Sequence, residues 1–282
     1  MRVLLLGASG MLGHDLVGTA PENVTLLPLS RQELDVTNQP ALAEAVAHAE
    51  PDLIVNAAAY TAVDRAESEP SNAFRVNHEA VVEIGRLAAQ HRSRVVHFST
   101  DYVFDGAASM PYSENAAPNP INVYGASKLA GENDLRTTVP AALVIRTQWL
   151  FGPHGRSFPR TMLERAMTKA PTRVVMDQVG RPTYTRDLAS VTWSLIAKRA
   201  QGLIHVANAD AASWYDVARE VFSSVRCAEL VQPCRSIDYP TQARRPQYTV
   251  LDTTLCESTL GTKLRSWRSA LKDFLDRRES TE

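Results

Sequence analysis

The sequence predicts an α/β protein whose core is a parallel β-sheet with helices on both faces. Short apolar runs alternate with helical stretches as far as residue 152, and this alternation is typical of a parallel sheet. A glycine-rich turn follows the first apolar run directly, at the place where a doubly wound sheet binds its ligand. Beyond residue 152 the alternation loosens, which indicates a smaller C-terminal lobe.

Size and charge limit the classes of function. The 282 residues are enough for one large α/β domain, or for a main domain with a small lobe. Apolar residues make up 44% and charged residues 22%, as in soluble globular proteins. The net charge of −1 provides no attraction to nucleic acid or to an anionic membrane, so neither partner is expected.

The cysteines and the N-terminal residues predict a cytoplasmic protein. Cys227, Cys234 and Cys256 are an odd set without C-x-x-C spacing, which argues against a disulfide framework or a zinc site and fits a reducing cytosol. The apolar run near Met1 is too short for a signal peptide or a membrane span. We therefore expect it to form a buried strand.

The first strand and the turn after it predict nucleotide binding. Residues 3–6 form a continuous apolar run, and the G-x-x-G-x-x-G pattern of Gly7, Gly10 and Gly13 leads from it into a helix over residues 11–17. In a Rossmann-type fold such glycines permit a tight turn, the approach of a pyrophosphate to the backbone, and close packing of the helix on the sheet. The helix N-terminus adds free N–H groups and a favourable dipole. A purely structural turn is the alternative.

The second strand carries residues expected near an adenosine. It covers residues 24–29 and is followed by Arg31, at a position where an acidic residue favours NAD and a basic residue accommodates the 2′-phosphate of NADP. Arg31 therefore favours NADP, with a solvated surface charge as the alternative. Asp35 and Val36 follow at the sheet edge, where an adenine can rest. For Asp35, a turn or capping role is the alternative.

The third strand ends in small residues. Thr37 or Asn38 is expected to cap the preceding helix, which has Pro40 in its first turn. The strand itself covers residues 53–56, and residues 57–59 are alanines. Alanines at the carboxyl end of a parallel strand leave room for a flat ligand. Packing against a crossing helix is the alternative.

The fourth strand leads to a tyrosine–lysine pair. Residues 94–101 end in S-T-D, and a proline-containing loop then delivers the chain to Tyr124. Tyr124 and Lys128 lie one turn apart on one face of a helix. A phenol beside an ammonium can transfer protons, because a nearby positive charge lowers the pKa of the phenol. We expect Thr100 at the strand end to lie beside Tyr124.

The rest of the chain is expected to complete the sheet and to cover its ligand-binding edge. We expect residues 1–152 to form an NADP-binding Rossmann domain, completed by parts of 185–206, and residues 153–282 to form mainly a substrate-binding lobe. The further expected elements are helices over 62–92 (interrupted at Pro70), 158–169, 187–199 (capped by Thr185), a helix capped by Ser213 to about 225, and 266–277, with strands over 142–146, 172–176 and 202–206.

Four motifs occur in a fixed order along the chain: G-x-x-G-x-x-G, N-A-A-A, a strand ending in S-T-D, and Y-x-x-x-K. Together they resemble the extended short-chain dehydrogenase/reductase superfamily. Five further segments are similar to its dTDP-4-dehydrorhamnose reductase family, so the resemblance covers essentially the whole chain. These segments are residues 56–70 (N-A-A-A-Y-T-A-V-D-R-A-E-S-E-P), 98–106 (F-S-T-D-Y-V-F-D-G), 146–152 (R-T-Q-W-L-F-G), 177–183 (D-Q-V-G-R-P-T) and 245–252 (R-P-Q-Y-T-V-L-D).

The resemblance implies NADPH-dependent reduction of the 4-keto group of a nucleotide-linked 6-deoxyhexose, foremost dTDP-4-dehydro-L-rhamnose to dTDP-L-rhamnose, with NADH as the alternative cofactor. The partner is then a dTDP-sugar substrate, and a homodimer is expected. Three alternatives stay open: a reductase for another dTDP-4-keto-6-deoxy sugar of an antibiotic or glycan pathway, an epimerase of the same superfamily, and a non-catalytic regulatory subunit that binds NADP. The intact Thr100, Tyr124 and Lys128 argue against the regulatory subunit.

The resemblance also assigns roles to the candidate residues. Tyr124 would donate a proton to the C4 oxygen, and Thr100 would hydrogen-bond the same oxygen. Lys128 would hold the nicotinamide ribose and lower the pKa of Tyr124. The expected cofactor-binding residues are Gly7, Gly10, Met11, Leu12, Gly13, Arg31, Asp35, Val36, Ala58, Ala59, Thr61, Tyr124 and Lys128.

Substrate contacts are expected from Thr100, Asp101, Trp149 and Arg181, with a core position as the alternative for Trp149 and an exposed charge as the alternative for Arg181. Arg181 stands where many relatives carry a small residue, which leaves the identity of the sugar open. Asp15 aligns with a glutamate through which some relatives bind Mg²⁺ at a dimer contact. Because no partner ligands are identifiable, no metal is predicted.

Overall fold

The computed structural model describes residues 1–279 of the chain, and the side chains of residues 1–277. Strands and helices alternate through its first half, as the sequence predicts. The strands are β1 (Arg2–Leu6), β2 (Thr25–Leu29), β3 (Leu53–Asn56), β4 (Arg94–Thr100), β5 (Leu143–Thr147), β6 (Leu150–Phe151), β7 (Thr172–Val175), β8 (Val179–Gly180), β9 (Thr183–Tyr184), β10 (Gly202–His205), β11 (Ala212–Ser213) and β12 (Val231–Cys234). The α-helices are α1 (Met11–Gly18), α2 (Gln39–Ala49), α3 (Val63–Ser68), α4 (Pro70–Phe74), α5 (Ala80–His91), α6 (Val123–Thr138), α7 (Phe158–Met167), α8 (Thr185–Ala197), α9 (Trp214–Ser224), α10 (Thr254–Leu260) and α11 (Trp267–Glu279), and a π-helical turn, Arg75–Glu79, joins α4 to α5.

A six-stranded parallel sheet forms the centre of the molecule, in the spatial order β2–β1–β3–β4–β5–β10. The chain builds outward from β1 to β2, then crosses to the other side of β1 and continues in the opposite direction. The strand order therefore reverses between β1 and β3. Ligands of such sheets bind at this topological switch point, beyond the carboxyl ends of the strands. The architecture confirms the predicted fold class.

The apolar core lies on both faces of this sheet. On β1, Val3 and Leu5 belong to a buried cluster that includes residues of α1, α8 and α10. Leu4 and Leu6 belong to a second cluster, which includes residues of α2, α5 and α6. Burial of each such leucine stabilises the fold by roughly 1.5–3 kcal/mol. Because helices cover both faces, the central strands are mostly apolar runs and do not alternate regularly with polar residues.

The C-terminal half forms a smaller layer with its own core, in which α7, α9 and α11 pack around Phe151, Tyr184 and Trp267. Short strand pairs connect its loops: β7 with β12, β6 with β9, and β8 with β11. Two elements of this half return to the main sheet, since β10 pairs with β5 and α8 packs on α1. The division at residue 152 into a cofactor domain and a substrate-binding lobe stays a prediction.

Local signals in the sequence account for several helix boundaries. The Asn38 side chain caps α2 by accepting a hydrogen bond from the Ala41 N–H. Ser213 caps α9 in a capping box with Asp216, as expected for these residue types. The prediction that Thr185 caps the following helix is wrong. α8 begins at Thr185 itself, because its hydroxyl is engaged elsewhere and donates to Asp15 Oδ2 at 2.5 Å. Within residues 1–279, no helix combines the length and the apolar character that crossing a bilayer requires.

Candidate active site

The glycine-rich turn after β1 forms a cradle of exposed backbone. Gly7 has a φ of +83°, in the left-handed region that favours glycine. A Cβ on Gly7 would lie 2.7 Å from the Ala58 nitrogen, and a Cβ on Gly13 would lie 2.2 Å from the Gly7 oxygen, so both positions require glycine. Gly10 precedes α1 without any side-chain cap, so the first N–H groups of the helix stay open to a ligand. This arrangement is suited to phosphate.

A cavity of about 410 Å³ lies at the switch point between β1 and β3. Its wall combines the glycine turn, the residues after β2 and the alanine segment after β3. Met11, Leu12 and Gly13 form the start of α1 instead, and Thr61 is exposed beyond the alanine segment. The predicted cofactor-binding residues that line the cavity are Gly7, Gly10, Arg31, Asp35, Val36, Ala58 and Ala59.

Two arginines flank Asp35 at one end of this cavity. Arg31 is 83% exposed and its Nη2 lies 3.9 Å from Asp35 Oδ2. The pKa of Asp35 is below its usual value, chiefly because Thr37 donates its backbone N–H to the carboxylate, and Arg31 and Arg75 lower it further. Asp35 therefore supports a turn as well as bordering the cavity. Sequence reasoning misses Arg75, because no spacing connects the π-helical turn to the end of β2.

A group of hydrogen-bonded polar residues lies at the end of β4. The Thr100 hydroxyl donates to Asp101 Oδ1 at 3.0 Å and accepts from the Tyr102 N–H at 3.2 Å. Asp101 is 2% exposed, and this burial raises the pKa of its carboxyl to about 7, although hydrogen bonds with Thr249 and Thr100 oppose the rise. Asp101 is thus a carboxyl that can change its charge near neutral pH.

The start of α6 brings Tyr124 to that strand end. Asn122 caps the helix, and its Oδ1 accepts from the Gly125 N–H at 2.8 Å. A Cβ on Gly125 would lie 2.0 Å from the Tyr102 oxygen, so the helix approaches the turn after β4 only because residue 125 is glycine. The Tyr124 ring stands edge-on to the Tyr102 ring at 5.8 Å, and its phenol interacts with the Thr100 hydroxyl. The structure therefore brings Thr100 and Tyr124 together, as expected.

The ionisation of Tyr124 differs from the expectation. Burial raises the pKa of its phenol to about 12, against the effect of the hydrogen bond with Thr100 and with a further rise caused by Asp101. The sequence predicts that Lys128 lowers the pKa of Tyr124, but Lys128 is not among the groups that shift this pKa. The physical reason is that burial also lowers the pKa of Lys128, to about 7, which weakens its positive charge at neutral pH. Tyr124 consequently remains protonated.

Lys128 is 2% exposed and is joined to the cofactor-side cavity by buried polar groups. Its Nζ lies 3.2 Å from His97 Nε2, and His97 Nδ1 lies 3.1 Å from Asn56 Nδ2. Asn56 Oδ1 accepts a hydrogen bond from the Ala58 N–H at 3.1 Å. A continuous series of contacts thus leads from the alanine segment to Lys128. Sequence reasoning misses His97, although a lone histidine inside an apolar strand is a signal that could have found it.

Trp149 connects the end of β5 to the C-terminal lobe. Its φ is +49°, in the left-handed region that bulky residues rarely adopt. Such a backbone conformation costs of order 1–3 kcal/mol and is found most often at functional sites. Its ring is half-buried and stacks on the Trp214 ring with the centroids 3.6 Å apart. A Cβ on Gly180 would lie 2.6 Å from the Trp149 ring, so glycine is needed there for the stack to form.

A second cavity, of about 430 Å³, lies in the C-terminal lobe next to this stack. Arg245 connects it to the residues around Tyr124, because its guanidinium lies 5.9 Å from the centre of the Tyr102 ring and pairs with Asp64 at 2.8 Å. Sequence reasoning misses most of this cavity, since its residues meet only through the tertiary fold. Its lining includes the aromatic residues Phe158, Trp214 and Tyr239 and the arginines Arg165, Arg173 and Arg245.

Arg181 is partly buried against the C-terminal lobe, and its expected contact with the substrate stays a prediction. Its backbone N–H donates to Gln148 Oε1 at 3.0 Å, and its Nη1 donates to Thr253 Oγ1 at 2.9 Å. Burial lowers the pKa of its guanidinium, while the nearby Asp252 opposes that change. Arg181 therefore faces the segment before α10, and Arg245 instead lines the second cavity.

A metal site is not apparent in the described part of the chain. Between residues 1 and 279, no group of three or more His, Cys, Asp or Glu side chains is arranged to hold a metal ion. Asp15 is buried and accepts the hydrogen bond from Thr185. Cys227, Cys234 and Cys256 are free and buried. The expectation that no metal binds stays a prediction.

Comparison with known proteins identifies similar chains over the full length. The sequence profile of the family described as RmlD substrate binding domain matches residues 1–280. The dTDP-4-dehydrorhamnose reductase of Aggregatibacter actinomycetemcomitans is 38% identical over 97% of this chain and 98% of its own. The probable dTDP-4,6-dihydroxy-2-methyloxan-3-one 4-ketoreductase of Streptomyces antibioticus is 42% identical over 97% of this chain and 94% of its own. The crystal structure of dTDP-4-dehydrorhamnose reductase from Bacillus anthracis in complex with NADP has a TM-score of 0.94 at 33% identity, and covers 98% of this chain and 99% of that one.

Proposed function

The chain belongs to the family described as RmlD substrate binding domain, and from this premise we propose that it is an NADPH-dependent oxidoreductase that reduces the 4-keto group of a dTDP-linked 6-deoxyhexose. The foremost substrate is dTDP-4-dehydro-L-rhamnose, which would yield dTDP-L-rhamnose. One observation carries the proposal. Thr100 and Tyr124 meet at the carboxyl end of β4, and the glycine turn lies at the carboxyl end of β1 in the same parallel sheet. A proton donor is thereby placed where a dinucleotide is expected to present its reactive end.

The cavity between β1 and β3 fits NADP. Gly7 and Gly13 leave the backbone open where side chains would block it, and the uncapped start of α1 suits the pyrophosphate. Arg31 and Arg75 provide positive charge beside Asp35, which suits a 2′-phosphate. The bound NADPH supplies the hydride for the keto carbon. Lys128, one turn after Tyr124, would hold the nicotinamide ribose.

Tyr124 supplies the proton in this proposal. A phenol with a pKa of about 12 is protonated at neutral pH, which is the form needed to protonate the C4 oxygen. The Thr100 hydroxyl, which donates to Asp101 in the free protein, would turn to donate to the same oxygen and stabilise the negative charge that develops on it. Asp101, next to Thr100, contacts the sugar.

The cavity of the C-terminal lobe suits the nucleoside diphosphate part of the substrate. Its aromatic side chains can stack on a thymine, and its arginines can pair with the diphosphate. Arg245 borders this cavity and also faces the Tyr102 ring, which contacts Tyr124. A nucleotide bound there would therefore place its sugar next to Tyr124, with Trp149 alongside.

A second candidate is a reductase for a different dTDP-4-keto-6-deoxy sugar. The Streptomyces antibioticus 4-ketoreductase is 42% identical to this chain, compared with 38% for the Aggregatibacter actinomycetemcomitans rhamnose reductase. The two candidates share cofactor, reaction and catalytic residues. They differ in the sugar that is reduced.

Both candidates are tested by NADPH oxidation with a panel of dTDP-, UDP- and GDP-4-keto-6-deoxy sugars. We expect the fastest oxidation with a dTDP-sugar, and product analysis identifies which sugar is reduced. Interconversion of sugars without net oxidation of NADPH would support an epimerase. NADPH binding without turnover of any sugar would contradict both candidates and support a regulatory subunit.

Three further expectations are kept as proposals. The cysteine pattern favours a cytoplasmic location, and a homodimer is the oligomeric state that we propose to test. The division into a cofactor domain over residues 1–152, completed by parts of 185–206, and a substrate lobe over 153–282 places the two cavities in different parts of the chain. Sedimentation measurements would test the homodimer.

A further inference from the structure

The hydrogen bonds around His97 determine which of its nitrogens carries the hydrogen. The Ala58 N–H can only donate, so the Asn56 oxygen that faces it must be the carbonyl oxygen. The Asn56 NH₂ therefore faces His97 Nδ1, 3.1 Å away. An amide NH₂ can only donate, so Nδ1 must accept. A neutral imidazole that accepts at Nδ1 carries its hydrogen on Nε2.

This tautomer has a consequence for Lys128. His97 Nε2 lies 3.2 Å from Lys128 Nζ, and its N–H points at that nitrogen. An ammonium has only donors, so two N–H groups would oppose each other across this contact. A neutral amine offers a lone pair and can accept. The contact is therefore a favourable hydrogen bond only when Lys128 is the neutral amine.

The surroundings of Lys128 favour the same state. Burial leaves Lys128 and His97 2% and 0% exposed. Among the described residues Lys128 has no ion pair, because Glu132, the next acidic residue along α6, is bonded to Arg146 of β5 at 2.9 Å through Nε. On the other side, one turn before it, Tyr124 is an uncharged phenol. Glu132 does raise the pKa of Lys128, but burial outweighs it and the Glu132 carboxylate is already paired with Arg146. The other nearby carboxyl, Asp101 directly after β4, accepts a hydrogen bond from the Thr100 hydroxyl.

We propose that His97 is a positioning residue for Lys128: Asn56 holds it as the Nε2–H tautomer, and in the free enzyme it donates a hydrogen bond to a neutral Lys128 amine. The amine is thereby fixed on the face of α6 that carries Tyr124. The importance for catalysis depends on the proposed function. The tautomer of His97 does not.

The tautomer can be measured directly on the wild-type protein. Two-dimensional ¹H–¹⁵N long-range correlation spectra of the ¹⁵N-labelled chain distinguish Nδ1–H, Nε2–H and doubly protonated histidines. We expect His97 to show the Nε2–H pattern at neutral pH. His205 is an internal reference of the opposite kind, because its Nδ1 lies 3.1 Å from the Tyr112 carbonyl and must donate to it. The variants H97Q and H205Q assign the two sets of signals.

The protonation of Lys128 is measured by the pH dependence of its Cε chemical shift, assigned by its loss in K128M. In N56D, the new carboxylate would accept hydrogen bonds from the Ala58 N–H and from Nδ1–H of His97, so His97 would carry its hydrogen on Nδ1. His97 Nε2 would then accept a hydrogen bond from the Lys128 ammonium. The titration of Lys128 should then move upward by about 1–3 pH units. In H97Q, whose amide can turn its oxygen to Lys128, it should move in the same direction.

The proposal is overturned if His97 shows the Nδ1–H or the doubly protonated pattern in the free enzyme, or if Lys128 titrates unchanged in folded H97Q. The spectra require no substrate and no turnover. They can therefore fail while the reductase assay succeeds, and the reverse is also true. In an active enzyme, the pH profile of kcat/KM should shift in H97Q, which a purely structural role would not cause.

Discussion

Replacement of Tyr124 by phenylalanine removes the proposed proton donor with little change in packing. The phenylalanine ring keeps the edge-on contact with Tyr102, which has a centroid distance of 5.8 Å. Only the phenol oxygen is lost, and Thr100 retains its bonds with Asp101 and the Tyr102 N–H. One hydrogen bond of this kind contributes about 1 kcal/mol to stability, which for a chain of this size corresponds to a shift in Tm of about 2–4 °C.

The effect on turnover should be much larger. A positioned general acid contributes about 100- to 10,000-fold to the rate, which corresponds to about 3–5 kcal/mol of transition-state stabilisation. The cavity that suits the cofactor does not include Tyr124, so NADPH binding should change only slightly. We therefore expect kcat to fall by at least about 100-fold while the Kd for NADPH stays within about threefold.

The assay compares wild type, Y124F and Y215F. Tyr215 lies on α9 beside Arg219 and lines neither cavity, so Y215F makes the same chemical change outside the site. Steady-state NADPH oxidation gives kcat, fluorescence titration gives the Kd for NADPH, and thermal denaturation gives Tm. If Y124F turns over at a rate within about threefold of Y215F, Tyr124 is not the proton donor and the mechanism proposed here is wrong.

Three other predictions follow from the same structure. R31A should raise the KM for NADPH by about tenfold and leave that for NADH unchanged, because a charge-assisted contact with the 2′-phosphate is lost; equal effects on both cofactors would contradict this. G125A should destabilise the fold by about 1–3 kcal/mol or more in urea denaturation and lower kcat, because its Cβ would lie 2.0 Å from the Tyr102 oxygen. The control G18A should do neither, because nothing lies within 4 Å of its new Cβ. Asp101 has a pKa raised to about 7, so the folded state binds more protons than the unfolded state between about pH 4 and pH 7, and stability falls as pH rises through this range. Urea denaturation of wild type and D101N at several pH values isolates this term, which is at most about 1.4 kcal/mol per pH unit and should be missing in D101N.

The sheet could be predicted because its strands are short apolar runs with turn signals at both ends. The cradle could be predicted because Gly7 and Gly13 each meet a steric need that only glycine satisfies. The end of β4 and the start of α6 could be paired through the family motif, but the close approach depends on Gly125, whose role is visible only in three dimensions. Local capping could be predicted at Asn38 because an asparagine side chain satisfies a free backbone N–H nearby.

The remaining part of the site could not be predicted, because it depends on contacts between distant segments. Trp149 and Trp214 are separated by β6 to β11, and no periodicity relates them. The pKa of Lys128 depends on burial, and burial of one lysine in a helix is not visible from its spacing. Arg75 and Arg245 likewise reach their cavities through folding of the surrounding segments.

The position of β10 at the edge of the sheet has a consequence for synthesis of the chain on the ribosome. β1 to β5 emerge well before β10, so the nascent chain has an unpaired edge on β5 until β10 is made. α1 also lacks its partner helix α8 during this time, and the apolar side chains of Leu12 and Leu16 lack that cover. Unpaired strand edges and exposed apolar surface promote aggregation of incomplete chains. A fragment that ends at residue 152 would retain both defects permanently, so we expect it to accumulate as insoluble protein, whereas a fragment extended through β10 should be recovered in larger amounts.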